Sequence, residues 1–386
     1  MEVKTTEVKT TEAKTMHAAI VGAGAISDIY LKNMTSRFSI LKVDAICANH
    51  MEHAEKKAKQ YGIKAMTFQD ILADESIEMI VNLTPAFAHA DIIRQALMAG
   101  KHVYTEKTLT DNLESAAELV KLADEKGLYL GAAPDTFLGA SLQTARRAID
   151  EGMLGEVTSF SVSANRDNDV LLSMFSFLRT PGAGVCMDYG VYYMTALVSL
   201  LGPVAQTAAV VRAPYQTHVN IWKESPEYGK EMNTPNESEV SAILQFESGV
   251  AGTFHIDADS VLEDQAYMAI HGTKGILYLT DPNQFGGTVK FLPNPEDFEH
   301  PTTVQKVPSI ENFTDNSRGV GPAEMAWAIR EGRKSRVDKQ MAYHVMEVLC
   351  AMLESGEKGT FIKINSTCKR PEALGIGEGE AVLHSR

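Results

Sequence analysis

Positive charge is in the minority in this chain, cysteine is scarce, and long apolar runs are missing. Lys and Arg total 36 against 50 Asp and Glu, for a net charge of −14. A chain of that sign repels phosphate backbones, and no basic run reverses it locally. Nucleic acid and anionic membranes are therefore not expected partners. No stretch approaches the roughly 20 apolar residues that cross a bilayer. Cys47, Cys186, Cys350 and Cys368 form no CxxC pair. Three of them sit in or beside apolar runs, which predicts reduced thiols in a cytoplasmic protein rather than a disulfide framework.

What is present is ordinary globular material. The chain has 386 residues, 44% hydrophobic and 22% charged, enough for two domains with real cores. Residues 2–15 read EVKTT-EVKTT-EAKT, a charge-balanced quasi-repeat with no apolar stretch and with Glu among its charges, unlike a signal or transit peptide. Such a segment buries too little surface to offset its ordering entropy, so residues 1–15 are expected to be a flexible tail.

Folded sequence begins near Met16. Short continuous apolar runs (17–21, 41–47, 79–83, 102–104 and 128–130) alternate with helical patterns (26–34, 52–61, 90–98 and 113–124) closed by Gly62, Gly100 and Gly127. That rhythm predicts a parallel sheet covered on both faces. After a helix over 141–151 the pattern changes to period-2 segments at 157–164, 240–246, 251–256, 266–271 and 275–279, followed by helices near 322–333 and 339–354. The expected fold is a doubly wound α/β dinucleotide-binding (Rossmann) domain over 16–138. An α+β domain with a large, open, mostly antiparallel sheet follows over 139–386, its helices on one side and its last helices able to pack back on the first domain. Residues 216–237 and 281–316 read as long surface loops.

The first apolar run ends in Gly22-Ala23-Gly24-Ala25-Ile26-Ser27 and opens the first helix. In that context the first glycine makes the tight turn and the second admits a pyrophosphate. The N–H groups around Ala25 and Ile26 face the ligand, and Ser27 is small enough for the position usually held by a third glycine. A dinucleotide is the expected cofactor. At the end of the second run, where a carboxylate commonly reads the adenosine ribose, stand Asn49 and His50, which permit either NAD or NADP. His50 and His53 lack a third ligand, so no metal is expected.

Ligands bind at the carboxyl ends of parallel strands. Two such ends carry chemistry here: Thr84-Pro85 with His89 following, and Tyr104-Thr105-Glu106-Lys107-Thr108. A lysine at such an end suits a site cation that polarises a substrate hydroxyl.

The segment Ala99-Gly100-Lys101-His102-Val103-Tyr104-Thr105-Glu106-Lys107 resembles the AGKHVxxEKP motif of the Gfo/Idh/MocA oxidoreductase family, founded on glucose–fructose oxidoreductase and inositol dehydrogenase. Val81-x-x-Thr84-Pro85-x-x-x-His89 resembles that family's nicotinamide-side loop, and Glu151-Gly152-x-x-Gly155-Glu156-Val157 its domain junction. Gly184-x-x-x-Asp188-x-Gly190-x-Tyr192 resembles its second catalytic segment. Thr108 departs from the family proline, and Tyr192 stands where many members have histidine.

The resemblance implies an NAD(P)-dependent enzyme acting on CH–OH groups of sugars, polyols or glycosides. Lys107 would bind and polarise the reacting hydroxyl, Asp188 would support it, and Tyr192 would be the general acid/base. Glu106 and Lys107, with Thr84, Pro85 and His89, would line the coenzyme side. Asn165 and Arg166 are candidate substrate contacts, and Asp135 and Arg179 weaker ones of the same kind. Two other readings keep the fold: glycoside cleavage through transient oxidation and elimination, and a cofactor-sensing protein without turnover. The apolar alternation over 240–256 suggests a sheet face that seeks cover, hence a homo-oligomer, dimer or tetramer.

Overall fold

The computed structural model describes residues 14–261, 266–297, 299–310 and 312–374. The expected tail therefore lies almost wholly outside the described residues. Its last two carbonyls, of Lys14 and Thr15, accept hydrogen bonds from Arg330 at 2.7 and 3.3 Å.

The first half is built on six parallel strands: β1 (Met16–Val21), β2 (Leu41–Cys47), β3 (Lys64–Ala65), β4 (Met79–Asn82), β5 (His102–Thr105) and β6 (Leu130–Ala132). Their order across the sheet is β3-β2-β1-β4-β5-β6, so the order reverses between β1 and β4 and opens a crevice there. The continuous apolar runs are explained by burial on both faces, as in β4, where all four residues are buried. The covering helices are α1 (Ser27–Ser36), α2 (Met51–Tyr61), α3 (Phe68–Ala73), α4 (His89–Met98) and α5 (Leu113–Lys126). Local chemistry fixes their ends. The Asn112 side chain accepts from Ser115 N to start α5, and Gly127, at φ 64°, ends it in the left-handed conformation. That ending corrects one expectation. The N–H of Leu128 closes α5 on Ala123 O at 2.9 Å, so β6 starts at Leu130 rather than at 128.

After α6 (Ala140–Asp150) come β7 (Val157–Asn165), α7 (Asn168–Met174), α8 (Val191–Leu201), β8 (Val204–Arg212), β9 (Thr217–Val219), β10 (Glu231–Asn233), β11 (Glu239–Phe246) and β12 (Ala251–Asp257). The chain continues with β13 (Tyr267–Gly272), β14 (Gly275–Leu279), β15 (Lys290–Pro293), β16 (Gln305–Lys306), α9 (Val320–Glu331), α10 (Lys339–Lys358) and β17 (Ile362–Lys363). Nine of these strands form one sheet in the order β16-β15-β14-β13-β7-β12-β11-β8-β17, antiparallel except for the β12–β7 pair. The expected loops are not free of structure: β9 and β10 form a hairpin, and β15 and β16 extend the sheet edge.

The alternation over 240–256 has an internal explanation. Val240, Ala242, Leu244, Phe246, Phe254 and Ile256 are buried in one core with residues of α8 and α10. The outward face carries Ser241, Gln245 and His255, with Ile243 and Val210 as its exposed apolar residues. Helix α10 also reaches the first sheet. Met346 belongs to the core beneath β5 and β6, and Lys339 pairs with Asp124 at 2.9 Å. No helix among the described residues is long and apolar enough to cross a membrane.

Candidate functional site

The glycine turn is shaped by sterics. Gly22 has φ +109°, and a Cβ there would stand 2.9 Å from the Leu83 carbonyl carbon and oxygen. Nothing lies within 4 Å of the place a Cβ would take at Gly24, so the backbone is open to a ligand there. Ala25 and Ile26 lead into α1, whose start has no side-chain cap; Ser27 is buried and donates its hydroxyl to Gly24 O at 2.6 Å. Ser27 N and Asp28 N close back on Gly24 O and Ala25 O at 3.0 and 3.5 Å, and the turn sits without a side-chain cap at the positive end of a ten-residue helix, beside an uncluttered glycine. These residues fit a dinucleotide pyrophosphate. Asn49 and His50 lie exposed at the end of β2, and the His50 and His53 rings meet edge to face at 5.7 Å.

The next two strand ends are tied together. Asn82 donates to Thr105 Oγ1 at 3.1 Å and accepts from Thr84 Oγ1 at 2.8 Å, which sets the Thr84-Pro85 turn beside β5. His89 does not open onto the crevice. It is fully buried, with Nδ1 2.7 Å from Thr108 O and Nε2 2.7 Å from Thr84 O. Burial pushes its pKa down and the two carbonyls oppose that shift. The geometry thus moves His89 from coenzyme contact to a brace between two crevice loops. Glu106 accepts from the Tyr30 hydroxyl at 2.8 Å and from Lys107 N at 2.9 Å, which fixes its carboxylate at the mouth of β5. The Lys107–Thr108 peptide is cis, and the Thr108 hydroxyl donates to Thr110 O at 2.6 Å.

Lys107 leaves the first domain and meets the second. Its Nζ donates to the Asp188 carboxylate and to Asp188 O, the latter at 2.9 Å. It lies 5.6 Å from the Tyr192 ring centroid. Asp188 and Tyr192 are brought together by a π-helical turn, Cys186–Gly190, running directly into α8. Burial works against the Lys107 ammonium, but Asp188, together with Tyr192 and Glu106, outweighs it and holds the pKa above its ordinary value. Burial raises the Tyr192 phenol, and Lys107 partly offsets the shift. Both groups therefore carry their protons at neutral pH.

Other candidates fall into place around this pair. Asn165 donates to Ser260 Oγ at 2.8 Å at the end of β7. The Arg166 guanidinium stacks 4.4 Å over the Tyr189 ring, whose centroid is 6.4 Å from that of Tyr192. Arg179 is engaged elsewhere. It bonds Leu172 O of α7 at 2.8 Å and Glu227 at 3.0 Å, tying that helix to the loop before β10. Asp135 is also withdrawn: it is 1% exposed and accepts from Gly319 N and Gly321 N at 3.1 and 3.0 Å, anchoring the start of α9. Burial pushes its carboxyl up to about 6, against those N–H groups and Arg318.

Arg318 escaped the sequence reading. It precedes α9 in the 281–316 region's far flank, over two hundred positions from Lys107, and no local motif marks it. Its charge nevertheless acts on both Tyr192 and Tyr30. Among the described residues no three His, Cys, Asp or Glu side chains gather as a metal would require.

A parallel sheet in dinucleotide order, a bare glycine turn, and a lysine reaching across to a second, open-sheet domain define a class of two-domain nucleotide-binding proteins. Comparison with known proteins narrows it. Residues 16–133 match the model of an oxidoreductase family with an NAD-binding Rossmann fold, and residues 142–278 match the Gfo/Idh/MocA C-terminal domain. The chain belongs to the Gfo/Idh/MocA oxidoreductase family. It is 29% identical over 205 residues to an uncharacterized oxidoreductase of Schizosaccharomyces pombe, a match covering 51% of this chain and 55% of that protein. It is 29% identical over 165 residues to the scyllo-inositol 2-dehydrogenase (NADP(+)) of Bacillus subtilis, covering 42% and 46%. The chain thus spans about half the length of these curated relatives. A levoglucosan dehydrogenase solved in complex with NADH shares the fold, with a TM-score of 0.79 at 17% identity over 92% of this chain and 100% of that one.

Proposed function

We propose that this protein moves a hydride between NAD or NADP and a secondary alcohol carbon of a sugar, polyol or glycoside, with Lys107, Asp188 and Tyr192 as its acid–base group. The observation that carries this reading is the Lys107–Asp188 contact beside Tyr192 at the end of β5, on the same sheet edge as the open glycine turn after β1. Gly22, Gly24, Ala25 and Ile26 would hold the pyrophosphate, Asn49 or His50 the adenosine ribose, and Thr84, Pro85 and Glu106 the nicotinamide side. Bound there, the coenzyme supplies the two-electron acceptor or donor.

The residues of the chain do the rest. Lys107 donates a hydrogen bond to the substrate oxygen and holds it near Tyr192. In the reducing direction Tyr192 gives its proton to the oxygen of the ketone as the carbon gains hydride. In the oxidising direction the alcohol proton passes to the Tyr192 oxygen, which must first have lost its own. Asp188 keeps Lys107 charged and aimed throughout. Among relatives, the names scyllo-inositol 2-dehydrogenase and D-xylose dehydrogenase favour a hydroxyl-rich substrate.

The four free cysteines are compatible with a reducing, cytoplasmic setting. Val210 and Ile243, on adjoining strands of the uncovered sheet face, would serve a homodimer or tetramer, and light scattering tests this.

The function is tested by titrating the protein with NAD and NADP and screening sugars, polyols and glycosides for coenzyme reduction. Reduction that is lost in both Lys107→Ala and Tyr192→Phe supports the reading. Full turnover in both variants overturns the site assignment. Stoichiometric reduction separates net oxidation from glycoside cleavage through transient oxidation, and any turnover separates both from a sensor.

A further inference from the structure

We propose that the substrate carries an oxyanion, a carboxylate or a phosphate ester, gripped by Arg166 and Arg318 while its alcohol carbon lies beside Lys107 and Tyr192. This deepens the hydride-transfer reading and rests on it for the position of the reacting carbon.

The argument starts from unequal charge matching. Lys107 has its counter-ion in Asp188. Arg166 and Arg318 have no carboxylate at ion-pair distance among the described residues. Arg318 donates to two neutral amide oxygens, Asn283 Oδ1 at 2.7 Å and Asn316 Oδ1 at 2.9 Å, and lies 5.8 Å from the Phe285 ring centroid. Such partners orient a guanidinium without neutralising it. Its backbone is held as well: Arg318 O accepts from Asn33 Nδ2 at 2.8 Å. Arg166 is fixed in the same manner, with its N–H on Asp257 O at 2.7 Å and its carbonyl accepting from Ser260 N at 3.2 Å. Its side chain lies over Tyr189, and its buried Nε has no hydrogen-bond partner.

The two cations are linked through one loop. Tyr189, under Arg166, donates to Asp281 at 3.1 Å; Asp281 in turn accepts from Asn283 N at 2.9 Å, and Asn283 holds Arg318. The pair therefore brackets the Tyr189–Tyr192 unit, and Arg318 is one of the charges acting on Tyr192. The nearby carboxylates make their contacts elsewhere: Glu106 with Tyr30 and Lys107 N, Asp135 with two glycine N–H groups, Asp281 with Tyr189 and Asn283; Glu106 and Asp135 reach Arg318 only through space. A half-buried guanidinium with no carboxylate in direct contact is incompletely matched, and an oxyanion accepting two parallel N–H bonds is its best complement. Neutral hydroxyls make only the weaker, uncharged bond to the same donors.

The test compares neutral sugars with their charged derivatives: glucose against gluconate, glucuronate and glucose 6-phosphate, and galactose against galacturonate. Coenzyme reduction and ligand-induced thermal shift are both read, in the wild type and in Arg166→Gln, Arg318→Gln and Arg318→Lys. A charged member is expected to surpass its neutral partner in kcat/KM and to shift melting where the neutral one does not. Each glutamine variant should cut that preference about 10–100-fold through KM, a bidentate charged bond's share, and Arg318→Lys should restore part of it. Which arm responds, acid or phosphate, identifies the oxyanion. Preference for the neutral member overturns the inference and leaves the oxidoreductase reading standing, as does a loss in the variants confined to coenzyme affinity. Arginine-dependent binding of a charged member without reduction of either coenzyme does the reverse: it supports the oxyanion site and removes the hydride reading.

Discussion

Replacing Asp188 by asparagine isolates the charge that holds Lys107. The side chain keeps its shape and one acceptor oxygen and loses only its charge. The two partners are 17% and 19% exposed, so the pair is neither a surface ion pair nor a dry one. At an effective dielectric near 20 and about 4 Å separation, the attraction is about 4 kcal/mol. Partial exposure and the retained hydrogen bond reduce the expected net loss of stability to about 1–2 kcal/mol. With the carboxylate gone, Tyr192 and Glu106 alone oppose burial of the ammonium, and the Lys107 pKa falls from its raised value.

The sign of the pH dependence follows. A lysine whose folded pKa is raised contributes stability that is fully present below its unfolded value, about 10.4, and is lost as pH rises through the folded value. The stability gap between wild type and Asp188→Asn should therefore be constant from about pH 7 to 10 and close at higher pH. With the lysine released from its anchor, kcat/KM should fall about 100-fold, equivalent to about 2.7 kcal/mol of transition-state stabilisation. Urea unfolding across pH and steady-state kinetics measure both. A variant with wild-type kcat/KM and an unchanged denaturation midpoint would refute the reasoning.

Other perturbations test other links. Gly22→Ala forces a Cβ to within 2.9 Å of the Leu83 backbone at a φ of +109°, and should weaken coenzyme binding at least tenfold by fluorescence titration; unchanged affinity would detach the turn from the coenzyme. Burial places the Tyr192 phenol above its ordinary value of 10.0, so the rate of oxidation should keep rising with pH through 10, and Tyr192→Phe should abolish that rise. A rate plateau reached near neutral pH would assign the base elsewhere. Asp135 carries a raised carboxyl pKa, so the native state binds its proton more tightly and stability falls as pH climbs from about 4 to about 6, by about 3 kcal/mol at most. Asp135→Asn should remove that slope from urea midpoints measured at pH 4.5 and pH 7, and an unaltered slope would count against the buried charge.

The first domain was legible because its signals are local. Apolar runs without alternation, the Gly22–Ser27 turn and the glycine stops each act within a few residues. The parallel strand order then follows from helix-linked connections that have one favoured hand. Lys107, Asp188 and Tyr192 were legible as motif positions, although their meeting depends on a contact between residues 81 positions apart. What stayed hidden depends on packing rather than pattern. The β8 segment Val204–Arg212 lacks clean alternation because small and polar residues fall on its packed face, where only Val204 and Thr207 are buried. His89 and Asp135 carry chemically capable side chains, yet both are consumed by backbone groups that only the folded chain brings near. Arg179 likewise finds a carbonyl of α7 and Glu227. Arg318 is the converse case, an unmarked residue that the α9 turn and Asn33 carry to the tyrosines.

A crystal structure with oxidised coenzyme bound, refined with and without a substrate, bears most directly on the whole account. It should show the pyrophosphate on the Gly22–Ile26 turn and the nicotinamide facing Lys107 and Tyr192, with a substrate carbon about 3–3.5 Å from the ring carbon that receives hydride. A nicotinamide directed away from Lys107, or a pyrophosphate seated elsewhere than on that turn, would contradict it.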